Sequence, residues 1–334
     1  AATIAVDSPR RSRYASPDLE TDGGRPAMAI KGNGWRGVYS AITTKLDAAE
    51  NVDLDAVRAD VAFQIAGGVD GIIVCGSLGE ASTLVADEKI AIARAAKEVA
   101  GDKVPVMLTI AEDSTRAGAR LAERAAEAEL DGLMVLPAMR YVSTPRETIA
   151  HFRTMARATD LGIMVYNNPL AYAVDITPPM FAELADEPNF VAMKESSGDL
   201  RRITDIINRV GEDRYAIFTG VDDLALESLV LGAVGWVAGL VCAFPRETVA
   251  IHDLVVAGRL AEAREIYRWF MPLLHLDVSH RFVQNIKVVE NMVRGTSTTV
   301  RAPRLPLDGE ELEKVVATVT AALETQPDLG KYGL

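Results

Sequence analysis

The chain has 334 residues, of which 49% are hydrophobic and 6% aromatic, and its formal net charge at pH 7 is −12. A chain of this length buries a large core, and it contains no run of about 18 apolar residues that would span a bilayer. Its acidity argues against nucleic acid and anionic membranes as partners, because both bind to a positively charged surface.

The predicted elements begin after an N-terminal extension. Residues 1–34 are polar and rich in Pro, Gly and Arg, which predicts a disordered or loosely docked segment. From Trp35 onward, short apolar runs alternate with Ala-rich stretches whose apolar residues recur at helical spacing. The predicted strands are residues 37–43, 71–75, 104–109, 132–136, 162–166, 190–194, 215–219 and 234–238. The predicted helices between them are residues 53–66, 86–100, 114–129, 144–158, 178–185, 200–210 and 224–231.

This alternation predicts an α/β fold, a (β/α)8 TIM barrel with an outer ring of helices. The alternative is an open doubly wound sheet, but the first strand-to-helix turn lacks a glycine-rich dinucleotide fingerprint. After about Pro245 only helices are predicted, at residues 247–257, 260–270, 279–294 and 309–325. We therefore expect a barrel over residues 35–257 and a C-terminal helical appendage over residues 258–334.

The cysteines and histidines do not predict a metal or disulfide site. Cys75 and Cys242 are far apart in apolar segments, so a reducing, cytoplasmic compartment is expected. The histidines lie on predicted helical segments without the paired spacing of metal ligands; they are His151, His252, His275 and His280. The sequence thus predicts no metal and no cofactor.

Lys194 is the most informative residue. It ends the apolar run that begins at Phe190 and is followed directly by Glu195-Ser196-Ser197-Gly198. Such a strand is normally buried on both faces, and desolvation there lowers the pKa of a lysine toward neutrality. A neutral lysine amine is a nucleophile for carbonyl carbons. Taken alone, a lysine at this place is more often simply the first solvated residue after a strand.

Two other strand ends carry chemistry that matches this lysine. The second strand leads into Gly76-Ser77-Leu78-Gly79-Glu80, a turn whose glycines let backbone N–H groups point at an anion. The fifth leads into Tyr166-Asn167-Asn168-Pro169. Each is weak alone, because Gly-Ser and Asn-Pro turns are common and a strand-end tyrosine often caps the core. In a barrel, however, all three lie on the face where active sites form.

Together these three motifs resemble those of the dihydrodipicolinate synthase and N-acetylneuraminate lyase family of class I, Schiff-base aldolases. The similarity runs from about Trp35 to beyond Arg294. It implies that Lys194 attacks the C2 carbonyl of pyruvate or another 2-oxo acid and that Tyr166 shuttles protons. Lys194 and the Ser77 hydroxyl would be the cation and the hydrogen-bond partner that allow the Tyr166 phenol to act as a base near neutral pH.

The same resemblance implies a binding site and an assembly. The N–H groups of Ser77 and Leu78, between Gly76 and Gly79, would hold the substrate carboxylate, and Asn168 would line the site. The family also implies a homotetramer built as a dimer of dimers.

Departures from the family pattern predict a different acceptor. Leu78 replaces a second hydroxyl residue, and Pro137 is followed by Ala138-Met139-Arg140 where a relay tyrosine is usual, so that relay is broken unless Tyr141 replaces it. No arginine follows Pro169 to bind a second carboxylate. The predicted surface is apolar or aromatic, formed by Leu78, Met139, Ala171 and Tyr172, and it disfavours aspartate semialdehyde, since a desolvated charge there lacks a partner.

The substrate stays open at this stage. Residues 166–175 resemble hydratase-aldolases of arylidene-pyruvates, whereas residues 75–79 resemble pyrroline-hydroxycarboxylate deaminases. A dehydratase or deaminase using the same enamine is therefore an alternative, and a non-catalytic metabolite-binding barrel is another. We further expect Glu80 to be structural, capping nearby amides, and Asp222 and Asp223 to be helix N-caps.

Overall fold

The protein is described by a computed structural model that covers residues 34–138 and 141–334. The predicted N-terminal extension lies outside these residues except for Gly34, and so does the predicted binding residue Met139. In the described part, no helix is both long enough and apolar enough to cross a bilayer.

Eight parallel strands close into a barrel in sequence order, as predicted. They are β1 Gly37–Ala41, β2 Gly71–Val74, β3 Val106–Ile110, β4 Gly132–Val135, β5 Gly162–Asn167, β6 Phe190–Glu195, β7 Ala216–Thr219 and β8 Gly235–Ala238. Closure comes from β8 pairing with β1, in the register Gly37 to Gly235 and Tyr39 to Val237.

Twelve α-helices of the described chain surround or follow this barrel. They are α1 Leu54–Ala66, α2 Ala86–Ala100, α3 Thr115–Glu127, α4 Pro145–Arg157, α5 Pro169–Tyr172, α6 Pro178–Leu184, α7 Arg201–Val210, α8 Ala225–Val230, α9 Pro245–Val256, α10 Leu260–Leu274, α11 Phe282–Arg294 and α12 Gly309–Glu324. The short α5 was not expected. His275 and His280 follow α10 in turns, so the prediction that they lie on helices was wrong.

Local capping explains several helix starts. Asp53 and Ser114 each accept a backbone hydrogen bond from the third residue beyond, which satisfies an otherwise unpaired N–H of α1 and α3. At α4, Thr144 and Glu147 form a reciprocal capping box and Pro145 occupies the first helical position.

Alternating strand residues form two separate apolar layers. Tyr39, Ile73, Met107 and Phe218 belong to a buried cluster of inward-facing side chains. Their chain neighbours, such as Ile72 and Leu108, belong to the larger cluster shared with the outer helices. This period of two along each strand is why the barrel interior is a packed core and leaves space only at its end.

Buried ion pairs fasten α11 to the barrel. Lys287 Nζ lies 2.6 Å from Glu80 Oε1, and both side chains are 1% exposed. Lys45 Nζ lies 2.5 Å from Glu290 Oε1, also in the interior. Glu80 also accepts the backbone N–H of Arg301 at 3.0 Å, so the expectation that it is a structural residue capping amides is supported.

Candidate active site

A cavity of about 620 Å³ lies at the carboxyl ends of the strands. It brings together most of the residues singled out from the sequence, namely Gly76, Ser77, Leu78, Tyr166, Asn168, Ala171, Tyr172 and Lys194. Gly79 is close by but does not line the cavity.

Lys194 sits at this face because it is the fifth residue of β6, paired in register with Tyr166 of β5. It is 7% exposed, and its Nζ lies 4.4 Å from the centroid of the Tyr166 ring. Burial lowers the pKa of Lys194 from its ordinary value of 10.5, and the charges of Asp277, Tyr172 and Asp222 oppose this only in part. The amine therefore has a larger neutral, nucleophilic fraction than a solvated lysine.

Gly220 makes room for the lysine. A Cβ at this position would lie 2.2 Å from Lys194 Cε and 2.7 Å from Lys194 Cγ. The lysine stem thus occupies space that any other residue at position 220 would fill, and this close approach fixes the direction of the amine.

Tyr166 is buried, with its hydroxyl 3.1 Å from Asn168 Nδ2. Burial raises the pKa of Tyr166 above its ordinary value, although the hydrogen bond with Asn168 opposes the shift. The phenol is therefore neutral in the free site. The Ser77 hydroxyl, which the sequence predicted as a neighbour of the Tyr166 phenol, makes no direct hydrogen bond to it among the described contacts.

The partner of Ser77 is Tyr172. Their hydroxyl groups form a hydrogen bond, and the Tyr172 ring meets the Tyr166 ring edge to face, with centroids 5.9 Å apart. Tyr172 reaches this place from α5, where Asn168 accepts the Ala171 N–H at 3.1 Å. By contrast, Tyr141 is 60% exposed and does not line the cavity of its own chain.

The turn after β2 presents two backbone amides to the cavity. The N–H groups of Ser77 and Leu78 donate to no described residue, while the Thr44 hydroxyl holds the turn by donating to the Gly79 carbonyl at 2.6 Å. The left-handed positions of this turn are Cys75 (φ 57°) and Glu80 (φ 58°). Gly79 allows the close approach within the turn, because a Cβ there would lie 3.1 Å from the backbone of Cys75.

Comparison with known proteins matches this arrangement to one family. The model of the dihydrodipicolinate synthetase family matches residues 34–322. The chain belongs to this family. A 4-hydroxy-tetrahydrodipicolinate synthase from Methanospirillum hungatei is 33% identical over 243 residues, covering 72% of this chain and 82% of that protein.

Solved structures of the dihydrodipicolinate synthetase family show the same fold. The 4-hydroxy-tetrahydrodipicolinate synthase from Methylacidiphilum fumariolicum SolV has a TM-score of 0.84 and 27% identity, covering 89% of this chain and 98% of that chain. YagE, a prophage protein of the family from E. coli K12 in complex with pyruvate, has a TM-score of 0.81 and 26% identity, covering 87% and 98%. Family members are Schiff-base lyases, and this chain is an enzyme of that class. The comparison thus favours the enzyme over the metabolite-binding barrel.

The rest of the cavity has an apolar and a polar wall. The apolar wall is formed by Ala111, Met134, Leu136, Leu170 and Ala171. The polar wall is formed by Asp277, Ser279, His280 and Arg304, none of which the sequence singled out as a site residue. These residues come from beyond the eighth strand, and no motif or spacing connects them to Lys194.

Asp222 lies beneath this polar wall and is fully buried. Its carboxylate accepts hydrogen bonds from Trp236 Nε1 at 2.8 Å and from the backbone N–H groups of Gly239 and Leu240. It does not cap the following helix, and Asp223 does not either, so the N-cap prediction was wrong. Asp222 instead holds the chain just after β8.

Proposed function

We propose that the protein forms an imine between Lys194 and pyruvate or a related 2-oxo acid, and that the enamine then makes or breaks a carbon–carbon bond. The observation that carries this proposal is the buried Lys194 amine, 4.4 Å from the Tyr166 ring centroid, in one cavity with the unpaired amides of Ser77 and Leu78. An amine, an acid–base phenol and an anion cradle are the groups this reaction requires.

The chemistry follows from these positions. The neutral Lys194 amine attacks C2 of the 2-oxo acid, and loss of water leaves an iminium that withdraws electrons from C3. The amides of Ser77 and Leu78 bind the carboxylate and orient the C2–C3 bond. Removal of a C3 proton gives the enamine, which is the nucleophile for an acceptor.

Tyr166 supplies and removes the protons in these steps. Because its phenol is neutral in the free site, it first donates a proton to the departing hydroxyl and then accepts one from C3. The Tyr166 ring contacts the Tyr172 ring edge to face, and the Tyr172 hydroxyl bonds the Ser77 hydroxyl. These two contacts connect Tyr166 to the turn whose amides bind the carboxylate. Tyr172, from the same chain, thus takes the place of the relay tyrosine that is usual after Pro137 in the family.

We propose an apolar or aromatic acceptor, and not aspartate semialdehyde. The support is the apolar wall, together with the absence of an arginine on α5, which offers Leu170, Ala171 and Tyr172. The Arg304 cation favours instead an acceptor that carries a carboxylate, although Glu80 Oε2 lies 3.7 Å from Arg304. A marked preference for an aldehyde with a distal carboxylate would refute the apolar acceptor.

A dehydratase or deaminase reaction is the second candidate, favoured by one observation. Asp277 places a carboxyl group in the cavity with no protein partner among the described residues, and such a group is able to protonate a leaving hydroxyl or amine. Identifying the product distinguishes the reactions, since elimination retains all substrate carbons and aldol cleavage does not.

We also propose a homotetramer, a dimer of dimers, that acts in the cytoplasm. The family relationship supports the assembly, and the two buried free thiols of Cys75 and Cys242 fit a reducing compartment. Sedimentation velocity tests the assembly, and a monomer would contradict it.

The decisive experiment traps the imine. The protein is incubated with pyruvate and borohydride, and the adduct is mapped by mass spectrometry. We expect an adduct at Lys194 and none at Lys45 or Lys287, which are equally buried but ion-paired. Tyr166→Phe should retain the adduct but lose about 100-fold or more of turnover, because only proton transfer is removed. No adduct at Lys194 would refute the proposed function.

A further inference from the structure

One carboxylate in the cavity has no part in the imine and enamine steps described above. Asp277 lies in the connection between α10 and α11, is half-buried, and lines the same cavity as Lys194 and Tyr166. It packs on Gly239, directly after β8, where a Cβ would lie 2.4 Å from Asp277 Oδ1 and 2.8 Å from Cγ. The carboxyl group thus sits in a space that exists only because residue 239 is glycine.

The Asp277 carboxylate makes no hydrogen bond or ion pair with any residue that the structure describes. Its neighbour Asp222 differs, because three donors satisfy it. A carboxyl group in a largely apolar cavity is unfavourable unless something binds it. Because Asp277 and Lys194 face one cavity without direct contact, a substrate bound to Lys194 has room to reach Asp277.

The charges around Asp277 favour its protonated form. Burial and the carboxylates of Asp222 and Asp223 raise the pKa of Asp277 well above its usual range, and Lys194 opposes them. His275, on the same connection, lies 3.7 Å from Asp223 and does not line the cavity. A carboxyl group whose pKa is raised is better suited to general acid catalysis than an ordinary carboxyl group.

We propose that Asp277 is the proton donor and acceptor at the C4 oxygen of a 4-hydroxy-2-oxo acid, a role that rests on the proposed imine at Lys194. In condensation, C3 of the enamine forms a bond to the aldehyde carbon. The electron pair of the aldehyde C=O moves to its oxygen, which takes the proton of Asp277. The enamine becomes the Lys194 iminium, and water hydrolyses it to the product and the free amine. In cleavage the Asp277 carboxylate accepts the C4 hydroxyl proton and the C4=O double bond of the aldehyde forms. The electron pair of the C3–C4 bond moves to the Lys194 iminium, which becomes the enamine.

This assignment divides the proton transfers between two residues. Tyr166, whose ring contacts the Lys194 amine, serves C2 and C3. Asp277 reaches the cavity from another part of the chain and serves the acceptor oxygen alone. Exchange of the pyruvate C3 hydrogens needs the imine and Tyr166 but involves no C4 oxygen. Loss of Asp277 should therefore leave this exchange intact while it slows the aldol reaction.

The test is Asp277→Asn, which retains shape but cannot transfer the proton. Three properties are measured: borohydride trapping of pyruvate at Lys194, exchange of the pyruvate methyl hydrogens in deuterated water by NMR, and aldol turnover with an apolar aldehyde. We expect trapping and exchange to persist while turnover falls about 100-fold or more. Asp213→Asn is the matched control, since it removes an exposed carboxylate that does not line the cavity, and it should retain turnover.

A second variant keeps the test independent of folding. Gly239→Ala leaves Asp277 chemically intact but displaces its carboxyl group, so it should show the same selective loss of turnover. The inference is overturned if Asp277→Asn retains turnover, or if exchange and turnover fall together. A wild-type protein that forms no pyruvate adduct would instead refute the proposed function itself, so the two failures are distinguishable.

Discussion

The hydroxyl groups of Ser77 and Tyr172 are hydrogen-bonded across the active-site cavity, although one follows β2 and the other ends α5. This bond links the carboxylate cradle to the tyrosine that packs on Tyr166. Ser77, Tyr172 and Tyr166 thus form a row of three neighbouring hydroxyl side chains within a single chain. In the proposed mechanism, Tyr172 takes the place of the relay tyrosine that the segment after Pro137 lacks.

Removing this hydroxyl should slow proton transfer selectively. We expect Tyr172→Phe to lower turnover by about 100-fold while the pyruvate adduct still forms at Lys194, since the amine and the amides remain. Tyr141→Phe is the matched control, because Tyr141 is 60% exposed, does not line the cavity of its own chain, and has its hydroxyl 3.4 Å from Glu147. Steady-state kinetics with parallel borohydride trapping measure both effects. Equal losses in the two variants would contradict a relay through Tyr172.

The pH dependence of imine formation should report on Lys194. Only the neutral amine attacks the carbonyl, so the trapping rate rises with pH until the amine is fully deprotonated. Because burial lowers the pKa of Lys194, the midpoint should lie below 10.5 and the rate should level off above it. Trapping rates across the pH range measure the midpoint. A midpoint at or above 10.5 would contradict the desolvated amine.

The buried pair of Glu80 and Lys287 should be important for stability. Glu80→Gln leaves the Lys287 ammonium buried without its counter-charge, which costs about 3–5 kcal/mol of the free energy of unfolding. The control is Glu310→Gln, whose partner Lys314 lies 3.7 Å away at the surface, where loss of the pair costs less than about 1 kcal/mol. Urea denaturation compares the two variants. Similar losses in both would show that the buried pair does not anchor α11.

Much of the fold was predictable because its signals are local. Strand-helix alternation placed all eight strands within a few residues of their observed bounds, and helix caps such as Thr144 lie next to the helices they begin. Lys194 and Tyr166 were expected to meet because the carboxyl ends of parallel strands share one face of a barrel. The expectation that Lys194 and Tyr166 lie close together requires only the order of the strands in the barrel, and it does not require knowledge of side-chain geometry.

The remainder of the site depends on contacts between distant segments. Tyr172 reaches Ser77 only because α5 forms, and four residues are too few to show a helical period. Asp277 and Arg304 enter the cavity from the chain beyond the eighth strand, where no motif marks them. A sequence pattern records which residues share one element, but it does not record how far a later segment folds back over the barrel.

The close contact between Gly220 and Lys194 gives the last prediction. In Gly220→Ala the new methyl group would lie 2.2 Å from both Lys194 Cε and Ser196 Oγ, so the lysine stem must move away from its present path. We expect pyruvate trapping at Lys194 to fall by about 10-fold or more, because a displaced amine no longer meets the carbonyl of an acid held by the amides. Thermal unfolding should change much less, since both clashing atoms belong to side chains that can rotate. Gly34→Ala, where a Cβ meets nothing within 4 Å, controls for loss of a glycine. Unchanged trapping in Gly220→Ala would mean that the position of the lysine amine is not fixed by this contact.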